Sequence, residues 1–367
     1  MNPRGILFRL FPPPAYILRR SAGIDISDRS VKVMTLVHHY GNESHGVYGE
    51  EALTPGTVEG GKVRDSAALT AAIKKLKDNL HLSAVSLSLP EEEAFLFTLS
   101  LPPMKEKEIR ESILLQLENH IPIPATETAF DYDIVAEKPR VAGGREVSVS
   151  AIARAHVQSY TQAVIDAGLT PLALEVESHS LCRSVVPAEE RGTVLVIDFG
   201  KTRAGVTVVS GGSVRYTATV PNVGGEDITK ALEKELKVSR EEAEKLKVTH
   251  GLSRKGENKA VFSALIALVS VLKDELVRHV GYWNTRVERG EILGGPITRA
   301  YLAGGQATLP GLAEYLSAHL GIAVSLGNPW VNVASVEEVL PDITRNDALR
   351  YATSIGLALR SIRPDLL

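Results

Sequence analysis

Asp25 and Asp198 each close an apolar run, Ala22-Gly-Ile-Asp25 and Val194-Leu-Val-Ile-Asp198, and a second β-rich run follows each after a short polar turn. A carboxylate at a strand end can hold a divalent cation, and Mg2+ is commonly held by one or two carboxylates together with water and phosphate oxygens. Small residues at a neighbouring turn let backbone N–H groups approach an anion and form a concave site for it. Ser27 stands at the first turn, and Gly200 and Thr202 at the second. Carboxylate and turn together suit the phosphates and metal of a nucleoside triphosphate, with one hairpin on each side of it. Taken singly, either hairpin says little, because strand–Asp–turn segments are common.

A third element narrows the chemistry. Residues 300–303 are an apolar run, Gly304-Gly305 a turn, and the following residues a helix with Pro310 near its first turn. Glycines there let the backbone lie flat against a planar base, as an adenine pocket requires. Three such elements in this order point to ATP in a cleft.

The elements that must position these residues follow from pattern. The segments 22–36 and 194–209 read as one strand–turn–strand unit used twice, which favours a duplicated α/β architecture. Between them, residues 106–119 carry Ile109, Ile113, Leu114 and Leu117 at helical spacing, stopped by Ile121-Pro-Ile-Pro124. Strands over 130–135 and 146–152, joined through a turn at 143–144, and a helix over about 155–167 complete a small α+β insertion. Charged amphipathic helices are expected at 226–237 and 240–247. A polar loop at 251–258 leads to a long helix at about 259–286, with Phe262, Leu265, Ile266, Val269, Leu272, Leu276 and Val280 on its apolar side.

Bulk properties exclude several classes. A chain of 367 residues with 44% hydrophobic and 23% charged residues can build two cored lobes. Its net charge of −3 speaks against a general nucleic-acid binder. No window holds the roughly 20 apolar residues of a membrane span, and Lys273, Asp274 and Arg278 interrupt the longest helix. Cys182, the sole cysteine, has no activating neighbours and reads as a small buried hydrophobe. The histidines lack metal-ligand spacing, His38-His39 reads as a surface pair at a strand end, and no serine elbow occurs. Residues 1–20 carry Arg4, Arg9, Arg19 and Arg20 without an acid, between apolar residues and Pro12-Pro13-Pro14. They read as a tail packed on the body or as a basic arm for an anionic membrane face or a partner.

The two hairpins and the Gly304-Gly305 turn resemble the phosphate and adenosine motifs of the actin-like ATPases. Within that superfamily the chain is similar to the PilM family of type IV pilus assembly, by Leu101-Pro-Pro, Glu118-Asn-His-Ile-Pro-Ile-Pro124, Leu174-Glu-Val-Glu-Ser178, Val223-Gly-Gly-Glu-Asp-Ile-Thr229, Ala243-Glu-Lys-Leu-Lys247, Asn328-Pro-Trp330 and residues 352–359. The resemblance implies an actin-like α/β fold of two duplicated lobes around a nucleotide cleft, with the inserted subdomain placed as in FtsA. The expected division is an arm at 1–20, a first lobe at 21–91 and 172–189, an insertion at 92–171, a second lobe at 190–342 with a helical part at about 226–290, and a C-terminal helix at 343–367 returning to the first lobe. It further implies ATP and Mg2+ as cofactors. Asp25 and Asp198 would hold the metal, and Lys32, Ser27, Gly200 and Thr202 would face the phosphates. Gly224 and Gly225 would join the nucleotide site, Glu244 and Lys247 would reach the ribose, and Gly304 and Gly305 the adenosine. Glu177 falls where the superfamily keeps the group that positions the attacking water. Lys32, Glu244 and Lys247 would equally serve as solvated charges, and Glu177 as an ion-pair partner.

The family's partner is the N-terminal cytoplasmic peptide of PilN, expected by position against Leu101, Pro102, Pro103, Ile121 and Ile123. The resemblance also implies the pilus motor ATPases and the platform protein PilC as partners, no nucleic acid, and a cytoplasmic location at the inner membrane. Two departures bear on chemistry: Ser27 stands where the family has glycine, and Lys201 and Arg203 make the second loop unusually basic. Both leave ATP binding expected and hydrolysis weak or absent. A cell-division filament like FtsA and a small-molecule kinase of the same superfamily are the competing readings. The chain end, Arg360-Ser-Ile-Arg-Pro-Asp-Leu-Leu367, does not read as the membrane helix of the former. For the latter no catalytic aspartate is visible beyond Asp198.

Overall fold

A computed structural model describes residues 21–38, 46–135, 144–253, 259–333, 338–339 and 342–362. The expected basic arm, His39, Gly143, most of the 251–258 loop and the last five residues of the chain end lie outside the described residues.

The first hairpin is β1 (Ala22–Ile26) and β2 (Ser30–Met34). The two-residue β3 (Val37–His38), β4 (Tyr48–Ala52) and the short pair β5 (Val58–Glu59) and β6 (Lys62–Val63) follow. Every residue of β1 is buried, as expected of a strand covered on both faces, whose sequence is then apolar without alternation. Helix α1 (Ser66–Leu80) starts where the Asp65 carboxylate accepts the Ala68 N–H, and it buries Leu69, Ala72, Ile73 and Leu76 at three- and four-residue spacing. Strand β7 (Ala84–Leu89) completes this part of the lobe.

The insertion holds β8 (Ala94–Leu101), α2 (Glu106–Gln116), β9 (Thr128–Ile134) and β10 (Arg145–Ala153), its sheet ordered β8-β10-β9. It has its own core of Leu99, Leu101, Ile109, Ile113, Leu117, Ile121, Val147 and Val149. Three strands stand where two were expected, because β8 opens on the apolar run Ala94-Phe-Leu-Phe97 and alternates only in its second half, unlike β10. Helix α3 (Arg154–Asp166) departs from expectation in its packing, burying Tyr160, Ala163 and Val164 in the core built on β1 and β7. Strand β11 (Thr170–Val176) and α4 (Glu177–Val185) follow.

The second lobe runs through β12 (Thr193–Phe199), β13 (Arg203–Ser210), β14 (Ser213–Pro221), α5 (Gly225–Leu236), α6 (Arg240–His250), α7 (Lys259–Glu288), β15 (Arg299–Ala303), α8 (Leu312–Leu320) and β16 (Ala323–Leu326). Pro310 lies just before the Gly311 cap of α8 rather than inside its first turn. Along α7, Leu265, Val269, Leu272, Leu276, Val280 and Trp283 are buried. No helix of the described residues is long and apolar enough to cross a membrane. Cys182 is buried, as expected of a packing residue. The short β17 (Glu338–Val339) pairs with β3, and α9 (Arg345–Ala348) leads to α10 (Ala352–Ile362).

The duplication is visible in strand order and sense. The first sheet runs β11-β7-β1-β2-β4 and the second β16-β15-β12-β13-β14. In each, an antiparallel hairpin (β1/β2, β12/β13) is flanked by two successive parallel pairings (β1/β7 and β7/β11, β12/β15 and β15/β16). Helix α10 packs on β1 and α4. This approach needs glycine twice: a Cβ on Gly23 would lie 1.9 Å from the Ser354 carbonyl oxygen, and one on Gly356 1.7 Å from that of Ser180.

Candidate functional site

The duplicated topology brings the two hairpins to one cleft of about 620 Å3, lined from both lobes. In the first hairpin Asp25 pairs across the ladder with Lys32, whose Nζ is 3.9 Å from Asp25 Oδ2. The Ser88 hydroxyl donates to Asp25 Oδ1 at 3.1 Å. Ser27 closes the turn from both sides: its hydroxyl donates to the Ser30 carbonyl and accepts the Ser30 N–H. The side chain that replaces the family's glycine is thus engaged within its own turn.

In the second hairpin Asp198 lies opposite Gly205. The loop is closed by the Gly200 N–H donating to the Arg203 carbonyl. The N-terminus of α5 sits directly on this loop, since the Gly225 and Glu226 N–H groups donate to the Gly200 and Lys201 carbonyls at 3.1 and 2.8 Å. Gly224 is required there, because a Cβ would come within 2.5 Å of the Lys201 carbonyl oxygen. It lies behind the cleft wall, whereas the other predicted site residues all line the cleft.

The Gly304-Gly305 turn follows β15, the parallel neighbour of β12. Gly304 has φ +85°, and a Cβ on it would lie 2.3 Å from Asp198 Oδ1. Its glycine requirement therefore comes from the second hairpin, while a Cβ on Gly305 would only touch Arg350, at 3.5 Å. On α6, Lys247 is buried, with Nζ 2.7 Å from Glu244 Oε2 and 3.0 Å from Thr229 Oγ1. Thr229 also donates to Glu244 Oε1 at 2.6 Å. Burial alone would raise the Glu244 carboxyl, but these bonds outweigh it and hold the group below its ordinary value. Glu244 and Lys247 form one fixed polar unit on the cleft wall.

Glu177 is the first residue of α4, and both its oxygens face Arg203 Nη2, at 3.0 and 3.3 Å. Arg203 Nη1 lies 2.6 Å from Glu92 Oε1 and 3.9 Å from Asp28 Oδ2. Burial pushes Glu177 well up despite Arg203, and Glu92, Asp25 and Asp198 push it further. Asp198 is also raised, by burial first and then by Asp25, against the pull of Arg203 and Lys32. Among the described residues no cluster of three or more His, Cys, Asp or Glu side chains could hold a metal. Asp25 and Asp198 make a two-carboxylate pair, which leaves most positions around an Mg2+ to water and phosphate.

Sequence reasoning passed over Asp28, Arg29, Glu92, Gln306 and Arg350, all at or beside the cleft. Arg29 reaches Glu226 Oε2 on the opposite lobe at 2.9 Å, and Gln306 packs against Gly225. Asp28, Arg29 and Gln306 could have been marked by their turns beside recognised motifs, whereas Glu92 and Arg350 lie in short 3-10 helices that no pattern singled out.

Two sheets of matching order, a hairpin tip from each facing one cleft, and a glycine turn against the second hairpin define the actin-like ATPase fold. Solved structures agree. MreB5 of Spiroplasma citri bound to AMPPNP matches with a TM-score of 0.54 at 14% identity, over 96% of this chain and 98% of that one. EutJ of Carboxydothermus hydrogenoformans matches at 0.53 and 16%, over 95% and 90%. A chain of the PilM–PilN type IV pilus biogenesis complex matches at 0.75 and 24%, over 94% and 99%. The family model for type IV pilus assembly protein PilM matches residues 23–362, and the chain belongs to that family.

Proposed function

We propose that this chain is an ATP-binding adaptor of the type IV pilus inner-membrane platform, with MgATP in the cleft between its lobes and the N-terminal cytoplasmic peptide of PilN bound at its inserted subdomain. The observation that carries the nucleotide reading is the convergence of Asp25 and Asp198, one from each lobe, beside Lys32. Burial and then the neighbouring Asp25 carboxylate raise Asp198, and a divalent cation between the two would neutralise that charge, so these residues fit Mg2+. The bound ion would supply charge neutralisation for the phosphates. Lys32 and the turns at Ser27 and at Gly200 and Thr202 would face those phosphates. Glu244 and Lys247 would meet the ribose hydroxyls, and Gly225, Gly304 and Gly305 the adenosine. MreB5 bound to ADP shares the fold, at a TM-score of 0.53.

The adaptor reading rests on family membership and on likeness to a PilM–PilN complex. One detail of the expected peptide surface is corrected: Leu101 and Ile121 are buried core residues, 1% and 4% exposed. Pro102 and Pro103 are exposed and Ile123 is half-buried, and these are the candidates for contact with an extended peptide. PilN would hold the protein at the cytoplasmic face of the inner membrane, with the motor ATPases and PilC as further partners. No observation favours the kinase or the cell-division filament.

The test is thermal unfolding with and without MgATP, together with titration of a labelled PilN N-terminal peptide. Nucleotide at about 1,000 times its dissociation constant stabilises by about 4 kcal/mol, and Asp198→Ala is expected to lose that shift. An absent shift, or one undiminished in Asp198→Ala, overturns the nucleotide site. A peptide that fails to bind with MgATP present overturns the adaptor.

A further inference from the structure

Arg203 occupies an unusual place for a cation in a cleft that would take a polyanion. It leaves β13 of the second lobe and meets three acids outside that lobe: Glu177 on α4, Glu92 just before β8, and Asp28 in the β1–β2 turn. The fork of the guanidinium is divided, with Nη2 against both oxygens of Glu177 and Nη1 against Glu92 and Asp28. The Arg203 side chain is 16% exposed and that of Glu177 12%, so water screens the pair poorly and the contact is strong.

ATP hydrolysis needs a group free to orient the attacking water, and a carboxylate can serve. The water oxygen bonds to the γ-phosphorus as the bond from that phosphorus to the β,γ-bridging oxygen breaks. ADP leaves with the electron pair, and the water proton passes to a base and then to solvent or product. Glu177 lines the cleft that also holds Asp25 and Asp198, so it is within the region where such a base would act. Both of its oxygens, however, accept from Arg203, and the lone pairs turned to the guanidinium are not offered to water.

We infer that Arg203 is a positioning residue that keeps Glu177 out of service, making the cleft a site that holds ATP without turning it over. This rests on the nucleotide reading of the cleft given above. It assigns the loss of turnover to one ion pair rather than to the loss of the catalytic carboxylate.

The experiment measures ATP affinity by thermal shift and turnover by phosphate release, side by side. Arg203→Gln is expected to raise kcat by about tenfold or more, below the roughly hundredfold to ten-thousandfold a well-placed base contributes, with affinity for MgATP unchanged within about threefold. Arg203→Gln combined with Glu177→Gln is expected to return to the parental rate, which a merely structural role for Arg203 would not produce. Because Arg203→Gln leaves Glu92 and Asp28 uncompensated, Arg203→Gln with Glu92→Gln serves as a second, better balanced variant. The inference is overturned if both variants bind MgATP as the parent does and turn it over no faster. It is equally overturned if turnover falls, which would make Arg203 a stabiliser of phosphate charge, or if the gain survives Glu177→Gln. Absence of any nucleotide shift in the parent removes the underlying reading, and the inference with it.

Discussion

Arg183 is 1% exposed in its side chain, yet its charge is met. Both terminal guanidinium nitrogens reach the Glu175 carboxylate, and Arg360 of α10 reaches the same group at 2.7 Å. Burial by itself would raise Glu175, but Arg183 and then Arg360 outweigh it and hold the carboxyl below its ordinary value. A folded-state value below the unfolded one, about 4.3 for glutamate, stabilises the protein above that pH and ceases to do so as pH falls through the folded value. Glu175→Gln should therefore flatten the acid side of the stability profile below about pH 4.3, and should cost about 3–5 kcal/mol at neutral pH by leaving a buried cation half met. Urea unfolding at a series of pH values checks both. Asp25 and Asp198 were legible as cleft residues because each stands near a strand end before a recognisable turn, whereas Glu177 was marked only by the family resemblance. The cluster around Arg203 was not legible, since Asp28, Glu92 and Glu177 come from three segments that only the fold joins. Leu101 and Ile121 were misplaced because an apolar residue looks the same in sequence whether it faces a groove or a core.

At the level of elements, the same substitution has opposite expected effects on two helices. Gly281 on α7 is exposed, and a Cβ there meets nothing within 4 Å. Gly281→Ala is expected to stabilise by about 0.5–1 kcal/mol through helix propensity. Gly356 on α10 faces the Ser180 carbonyl so closely that Gly356→Ala must push the helix away from α4, at a cost of about 1–3 kcal/mol. Denaturant midpoints of the two variants against the parent decide it. The hairpins and α7 were readable from period and turn chemistry alone. Strand β8 was missed because the short apolar run Ala94-Phe-Leu-Phe97 that opens it does not by itself distinguish a strand from a buried helix. Helix α3 was found, but its pattern shows only that one side is apolar, not which sheet covers that side.

Across the whole molecule, polar contacts tie the lobes together and fasten the inserted sheet to the second lobe. Arg29 with Glu226 and Arg203 with Asp28 join the tip of the first hairpin to the second lobe. Arg215 on β14 lies 3.8 Å from Glu146 on β10, both nearly buried, and the Ser148 hydroxyl donates to the Val214 carbonyl alongside. Glu146→Ala, which removes the carboxylate facing Arg215, is expected to cost about 3–5 kcal/mol, whereas Glu146→Leu with Arg215→Met should cost much less. Calorimetric unfolding of the three proteins separates the two outcomes. The seat of α10 against β1 also has a consequence for biosynthesis. A ribosome delivers Gly23 among the first described residues and Gly356 among the last, at roughly 5–20 residues per second, while the segments of the second lobe emerge in between. The earlier-made half must therefore wait with its central strand uncovered on one side until the later half has been made, and a nascent-chain-binding chaperone would find its target there.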